Sequence, residues 1–403
     1  MKSNTSPSST KFWFLTLFII SLMTLIVHSY LSLHGYNLKL GLEAGQSLCN
    51  VSTTFNCDSA AVSRYSSLFG IPMALLGAVT QLAFLIFLLS SQWNLSEHSD
   101  LLRRLIFWLA LFVAAISIIM ANISIFALNS YCPFCIVTYV LSFISLFAAF
   151  KYQTENPWPK LTSDISQFFS SVRWPVVLLI AIPALGYVGN SIILDSYGFG
   201  KLEMIIQDSV NQWEQSPSFE FKPDQGLTLG NSKNPKMVIV EFADFLCPHC
   251  RLAYPALHAF VQSHPDTQLI FKSFPLDAKC NKNLTHEGDG YRCKLAGAVF
   301  CAAKLFNKGW EFHDWLFDNQ ENMKAIDHFP EILENASSKN LVSADAIKKC
   351  LDEDATLDAL QATSLEGFNA KIEGTPTIFV NGKILPRGQF LPVLEAAYKK
   401  LNP

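Results

Sequence analysis

Charge is scarce in this chain. Only 16% of its 403 residues are Asp, Glu, Lys or Arg, against 50% hydrophobic, and the formal net charge is −3. No basic stretch interleaved with aromatics occurs, so nucleic acid is excluded as a partner. There is no internal repeat, and low-complexity sequence is confined to the Ser-rich N-terminal segment. Methionine is sparse, at 7 residues, and no Met/His cluster lies beside a Cys pair, which weighs against a metal carrier such as a copper chaperone. Nor does the first apolar run, preceded by Lys2 and Lys11, end in a clear small-residue cleavage site. It is also too long for a secretory h-region, so it reads as a retained helix.

The shortage of charge is uneven. Residues 1–200 are dominated by Leu, Ile, Phe, Ala and Ser, whereas 201–403 have an ordinary globular composition. The length allows two or three domains at roughly 150 residues each. Five apolar runs, near 12–33, 69–90, 105–128, 132–150 and 174–194, approach the ~20 residues that a lipid bilayer demands. With the N-terminus inside, the inner segments carry Lys2, Lys11, Arg103, Arg104, Lys151, Lys160 and Arg173, while the outer loop at 34–68 carries Lys39 and Arg64. Positive charge favours the inside. Everything after residue 195 then falls outside, and all 10 cysteines lie in outer segments or at the membrane edge. That distribution fits an oxidising compartment.

Cys49 and Cys57 in the outer loop are close enough to form a small disulfide ring, and the loop could also swing one thiol toward another site. Cys132-Pro133-Phe134-Cys135 opens the fourth apolar run, where a helix N-terminus favours a thiolate. Cys135 and Tyr139 follow one turn apart on one helix face. Such a pair could also be two small residues packed among helices, Ser63 could cap a following short helix, and Tyr139 could be an interface anchor. In combination, Cys49, Cys57, Ser63, Phe69-Gly70-Ile71-Pro72, Cys132-x-x-Cys135 and Tyr139 resemble the vitamin K epoxide reductase family over residues 12–150. The resemblance implies a four-helix membrane bundle over 1–155 holding a quinone, of ubiquinone or menaquinone type, beside Cys135. It further implies that the Cys49/Cys57 pair shuttles electrons to Cys132, that Ser63 polarises the reacting oxygen and that Tyr139 lines the pocket. The fifth run, with Pro183, Gly186 and Gly189, is expected to be a tether helix within 156–200, and 201–235 a linker region.

In the soluble half, Met237–Phe245 reads as a strand leading into Cys247-Pro248-His249-Cys250 and a helix to about His264. A strand follows at Gln268–Phe274, then mostly helical sequence over 290–370. Gly374-Thr375-Pro376-Thr377 opens a late strand, and Phe390–Leu401 a closing helix. That order predicts an α/β thioredoxin-like fold with a helical insertion over 236–403. Cys247 should be the exposed thiolate, favoured by the helix N-terminus and His249, with Cys250 the buried resolving thiol. Pro376, after Thr375, is a candidate cis proline that leaves a backbone edge free for substrate. The Phe-x-Asp-Phe-x-Cys-Pro-His-Cys and Gly-Thr-Pro-Thr runs resemble DsbA-type thiol oxidases across roughly 225–401. A four-cysteine zinc site or a permanent Cys247–Cys250 disulfide fits poorly, and no metal is expected. Cys280 and Cys293 flank a polar loop and are expected to pair, leaving Cys301 with Cys350, although four cysteines allow three pairings. His258, His264, His286, His313 and His328 look scattered along the chain.

Together these readings lead to the expectation of a multi-pass protein of a bacterial inner membrane, with a cytoplasmic N-terminus and a periplasmic C-terminal domain. It would oxidise reduced secreted or periplasmic proteins and pass the electrons to membrane quinone. A relay delivering reductant outward and a membrane-tethered metal chaperone are the alternatives.

Overall fold

The computed structural model describes residues 7–40, 49, 57–63, 65–93, 99–128, 131–153, 173–198, 201–231, 233–323 and 326–402. Two compact units divide the chain: Met1–Tyr36 with Ser47–Gly200, and Asn37–Gln46 with Lys201–Pro403.

The first unit is helical. Its elements are α1 (Pro7–Lys39), α2 (Cys57–Val62), the short antiparallel pair β1 (Ser67–Leu68) and β2 (Ile71–Pro72), α3 (Met73–Gln92), α4 (Ser99–Ile123), α5 (Pro133–Lys151) and α6 (Arg173–Ser196). A π-helical turn, Ser124–Leu128, closes α4. Among the described residues, four stretches are long and apolar enough to cross a membrane: Thr10–Lys39, Met73–Gln92, Asp100–Phe126 and Pro133–Lys151. Leu17, Phe84, Phe87, Leu88, Phe107 and Ala149 pack inside. Large apolar side chains such as Ile26, Phe112, Val140 and Phe147 point outward. A helix that is apolar all round is a membrane span or the core of a large protein, and outward-facing Phe and Ile select the former. Hydropathy ended the first span at 33, yet α1 continues to Lys39. The apolar run marks a bilayer-length stretch, while backbone hydrogen bonds extend the helix beyond it. Gly77 lets α1 and α3 approach, since a Cβ there would lie 2.6 Å from the His28 ring. The predicted fifth run is helical, as α6.

The second unit is a five-stranded mixed sheet flanked by helices. It begins with α7 (Leu202–Gln215) and β3 (Leu227–Gly230), followed by β4 (Met237–Ala243), α8 (Pro248–Ser263) and β5 (Thr267–Ser273). Five helices come next: α9 (Tyr291–Phe306), α10 (Gly309–Asp318), α11 (Phe329–Ser338), α12 (Ala344–Leu351) and α13 (Asp354–Asn369). The chain closes with β6 (Thr377–Val380), β7 (Lys383–Ile384) and α14 (Leu391–Leu401). Strand order is β3-β5-β4-β6-β7, with β4 and β5 parallel and the other pairs antiparallel. This is a thioredoxin-like fold with α9–α13 inserted between β5 and β6. Buried on both faces, β4 is nearly continuous in apolar residues, as central strands are. Asn381 and Gly382 both take positive φ in the two-residue turn joining β6 to β7, as such hairpins require. Cys280 pairs with Cys293 and Cys301 with Cys350.

The segment 201–235, expected as a linker region, carries a helix and an edge strand of this unit. β3 is an edge strand of the sheet, and Trp213 on α7 donates its indole N–H to the Val380 carbonyl at 3.0 Å. Phe219 and Phe221 pack their rings on Phe379. Gly and Pro punctuation suggested a loop, but this segment's alternating apolar side chains are bound into the fold.

Candidate active site

β4 runs straight into the dithiol, with Cys247 as the N-cap of α8, extended at φ −81° and ψ 117°, and Pro248 in the first turn. Proline suits that place because it lacks the N–H a first turn leaves unbonded. The turn is pinned by the buried Asp244 carboxylate, which accepts from the Leu246 and Leu276 amides at 2.7 and 2.8 Å and from the Arg292 guanidinium. Gln320 donates to the Phe245 and Cys247 carbonyls at 2.8 and 3.0 Å. Cys247 and Cys250 are both free thiols.

Thr375 and Pro376 join through a cis peptide bond, and the Cys247 Sγ lies 3.2 Å from the Thr375 carbonyl oxygen. Thr375 Oγ1 is buried without a hydrogen-bond partner among the described residues. His249 is exposed beside the dithiol. The Cys247 thiol is lowered from its ordinary 9.0 to about 6, chiefly by the Cys250 side chain as hydrogen-bond donor, with further support from Thr375 and the helix-start amides. Cys250, fully buried, is raised well above the ordinary value by desolvation first, then by its hydrogen bond to Cys247 and the Cys247 charge.

Glu241 was not among the residues singled out from sequence. It sits in mid-β4 with both carboxylate oxygens buried and unpartnered among the described residues. Burial, reinforced by the Cys247 charge, pushes its carboxyl to about 8. The signal was present as the single charged residue inside the apolar run Met237–Phe242. The histidines that looked scattered are also regrouped: the His258 and His313 rings stack at 5.6 Å, and His313 Nδ1 is 2.8 Å from Asp314. With Asp314 they form a cluster whose donor types suit a metal ion. Desolvation lowers His258 to about 4, so it is a neutral core imidazole at neutral pH.

The helical unit repeats the capping device. Cys132 is the N-cap of α5, again followed by Pro, and its Sγ accepts from the Cys135 amide at 3.1 Å. Cys49 is bonded to Cys57, and Cys132 to Cys135. Cys57 Sγ also lies 3.2 Å from Cys132 Sγ, a sulfur–sulfur contact joining the two pairs. Cys49, Cys57 and Cys132 are buried, whereas Cys135 and Tyr139 are half-buried along α5. Ser63 is buried but follows α2 and donates to the Ala60 carbonyl at 2.9 Å. The reading of Ser63 as an N-cap ahead of a short helix is therefore overturned: the helix lies before it, not after it.

A thioredoxin-fold dithiol with a stabilised thiolate and a membrane-type helical bundle with two touching cysteine pairs thus share one polypeptide. Residues 15–150 match the model of the vitamin K epoxide reductase family, and residues 238–399 match that of the DSBA-like thioredoxin domain. A Rickettsia bellii protein named "Putative protein-disulfide oxidoreductase" is 27% identical over 183 residues, 44% of this chain and 66% of its own length. Disulfide bond formation protein D of Bacillus subtilis is 24% identical over 174 residues, 42% of this chain and 72% of that protein. The crystal structure of BdbD from Bacillus subtilis (oxidised) aligns at TM-score 0.39 and 21% identity, covering 47% of this chain and 99% of that one.

Proposed function

We propose that the chain is a membrane thiol oxidase that introduces disulfides into reduced secreted or periplasmic proteins and passes the electrons to a quinone. In this reading, a substrate thiolate attacks the oxidised Cys247–Cys250 pair, and a second substrate thiol resolves the mixed disulfide. The reduced Cys247/Cys250 pair is then reoxidised by Cys49–Cys57, and the electrons reach Cys132–Cys135 by a second exchange. The observation that carries the relay is the 3.2 Å contact between Cys57 and Cys132, which sets the loop pair against the membrane pair. The lowered thiol of Cys247 supports oxidation over reduction, since a stabilised thiolate favours the reduced form and makes the disulfide a stronger oxidant.

The residues on α5 suit a quinone. Cys135 is more accessible than Cys132, and Tyr139 follows one turn on, among outward-facing Ile136, Val140 and Phe143. Cys135 and Tyr139 would hold the group, with Ser63 as a hydroxyl donor. When bound, a quinone supplies acceptance of two electrons and two protons. The remaining chemistry is thiol exchange by this chain's own sulfurs. Orientation follows the positive charge of the inner segments, with α6 as a membrane-spanning tether and the thioredoxin-like domain outside.

The test is quinone reduction by the full-length protein in detergent, supplied with a reduced cysteine peptide, beside Cys135→Ala and Cys247→Ala. Turnover in the wild type and loss in both variants is expected. Turnover that survives Cys247→Ala would remove the soluble dithiol as the obligatory way in, and an inactive wild type would overturn the reading.

A further inference from the structure

The helical unit carries a buried polar pair that the relay does not use. His34, near the end of α1, places Nε2 at 2.6 Å from Oδ1 of Asp58, the residue after Cys57. Both side chains are buried. Leu31 packs on the cluster of Cys49, Cys57 and Cys132, and residues three apart share a helix face. The face of α1 that bears His34 therefore lies against the sulfurs. Tyr30 stacks on the His34 ring and meets Phe134, inside the Cys132–Cys135 segment, edge-on at 5.3 Å. These contacts tie α1 to α2, which begins at Cys57, and to the start of α5.

α2 has only six residues, far too few to hold a helix by itself, so its position depends on what anchors it. One anchor is the Cys49–Cys57 disulfide, and that bond must be open when Cys57 acts as nucleophile. From this we infer that the His34–Asp58 pair is a positioning device, which keeps α2 docked and Cys57 aimed at Cys132 once the covalent staple has opened. The inference rests on the proposed relay. In the step it serves, the Cys57 thiolate attacks Cys132. A Cys57–Cys132 bond forms, the Cys132–Cys135 bond breaks, and Cys135 leaves as the thiolate. One thiolate is consumed and one produced, so no external oxidant or proton is required.

The test uses the full-length protein in detergent with Cys49→Ala and Cys135→Ser, in which the staple is open and diamide, as two-electron oxidant, joins the free Cys57 and Cys132 thiols. Cys135→Ser by itself lets Cys132 attack Cys49–Cys57 and shows whether the relay bond forms at all. Peptide mapping without reductant reads its rate of formation. His34→Ala and Asp58→Ala should each slow trapping at least tenfold, and the exchanged pair His34→Asp with Asp58→His should restore it to within about threefold. In the Cys135-intact protein, reduction of Cys132–Cys135 by dithiothreitol bypasses α2 and should proceed at the wild-type rate in all variants. Unchanged trapping in the single variants would overturn the positioning role and leave the relay standing. So would joint loss of trapping and dithiothreitol reactivity that the exchanged pair fails to repair, since that marks a general folding defect. If Cys135→Ser alone traps no Cys57–Cys132 bond, the relay itself fails.

Discussion

Cys250→Ala should weaken the Cys247 thiolate, and the structure indicates by how much. Cys247 is lowered from 9.0 to about 6, and the Cys250 side chain is the largest contributor. At pH 7 a thiol with a pKa near 6 is roughly 90% thiolate, and one near 9 about 1%. The lowered value stabilises the thiolate form: its contribution is complete above pH 9, shrinks as pH falls and is lost through pH 6. At pH 7 it amounts to about 1.4 kcal/mol in favour of the reduced state, or about 30 mV of oxidising potential for this two-electron couple. Removing the Cys250 donor leaves Thr375 and the helix-start amides in place. The midpoint should therefore rise by more than one unit without reaching 9. Iodoacetamide alkylation of the full chain against pH reads this directly, because buried Cys250 titrates far higher in the wild type and the other cysteines are held in disulfides. Alkylation at pH 6 should fall about tenfold. A variant midpoint within half a unit of wild type would show that Cys250 does not hold the thiolate, and a wild-type midpoint near 9 would refute the stabilised thiolate altogether.

Glu241→Gln should flatten the dependence of stability on pH. Its folded pKa of about 8 lies above the ordinary 4.5, so the unfolded chain ionises first and stability falls as pH rises from 4.5 to 8. By pH 7 that is about 3 kcal/mol, at about 1.4 kcal/mol per unit. Denaturant unfolding of the oxidised protein at pH 5 and pH 7.5 checks it, with burial, the larger cause, still acting and the Cys247 thiolate removed; parallel profiles for wild type and variant would contradict it. Among the structural disulfides, opening Cys301–Cys350, at a separation of 49, should cost about 4 kcal/mol, and opening Cys280–Cys293, at 13, about 3 kcal/mol. Unfolding midpoints of the paired Cys→Ala variants test that order.

Sequence revealed most where chemistry forces a local pattern. Cys-Pro-x-Cys ahead of a helix and Thr-Pro ahead of a strand were both legible because a helix N-terminus and a cis peptide bond each demand particular residues. Apolar runs marked the membrane-length helices because a bilayer tolerates little else. What escaped was tertiary. Phe219 and Phe221 sit among turn-forming residues, and nothing local says that Phe379 lies beneath them. His258 and His313 are 55 positions apart and meet because α8 and α10 pack together. Ser63 follows α2 rather than heading a short helix, because a six-residue helix leaves too short a periodicity to be placed from sequence. Glu241 was visible as a charge in a buried strand, but its raised pKa depends on the core around it and on the Cys247 charge.

The same capping device appears on two unrelated scaffolds, and the differences between the copies define what each can react with. In both, the first cysteine is the N-cap, Pro follows, and the second cysteine lies one turn in. Around Cys247 the neighbouring group is the Thr375 carbonyl at the cis peptide, with exposed His249 alongside. Around Cys132 the neighbour is another sulfur, Cys57, in a buried cluster with Cys49. In the proposed relay Cys132 therefore takes its electrons from a thiol of its own chain, whereas Cys247, itself buried beside exposed His249, exchanges with foreign ones. Fusing the two raises the effective concentration of one dithiol at the other without any new contact. Separating the halves should therefore slow electron transfer to the membrane pair while leaving peptide oxidation by a single charge of Cys247–Cys250 unchanged.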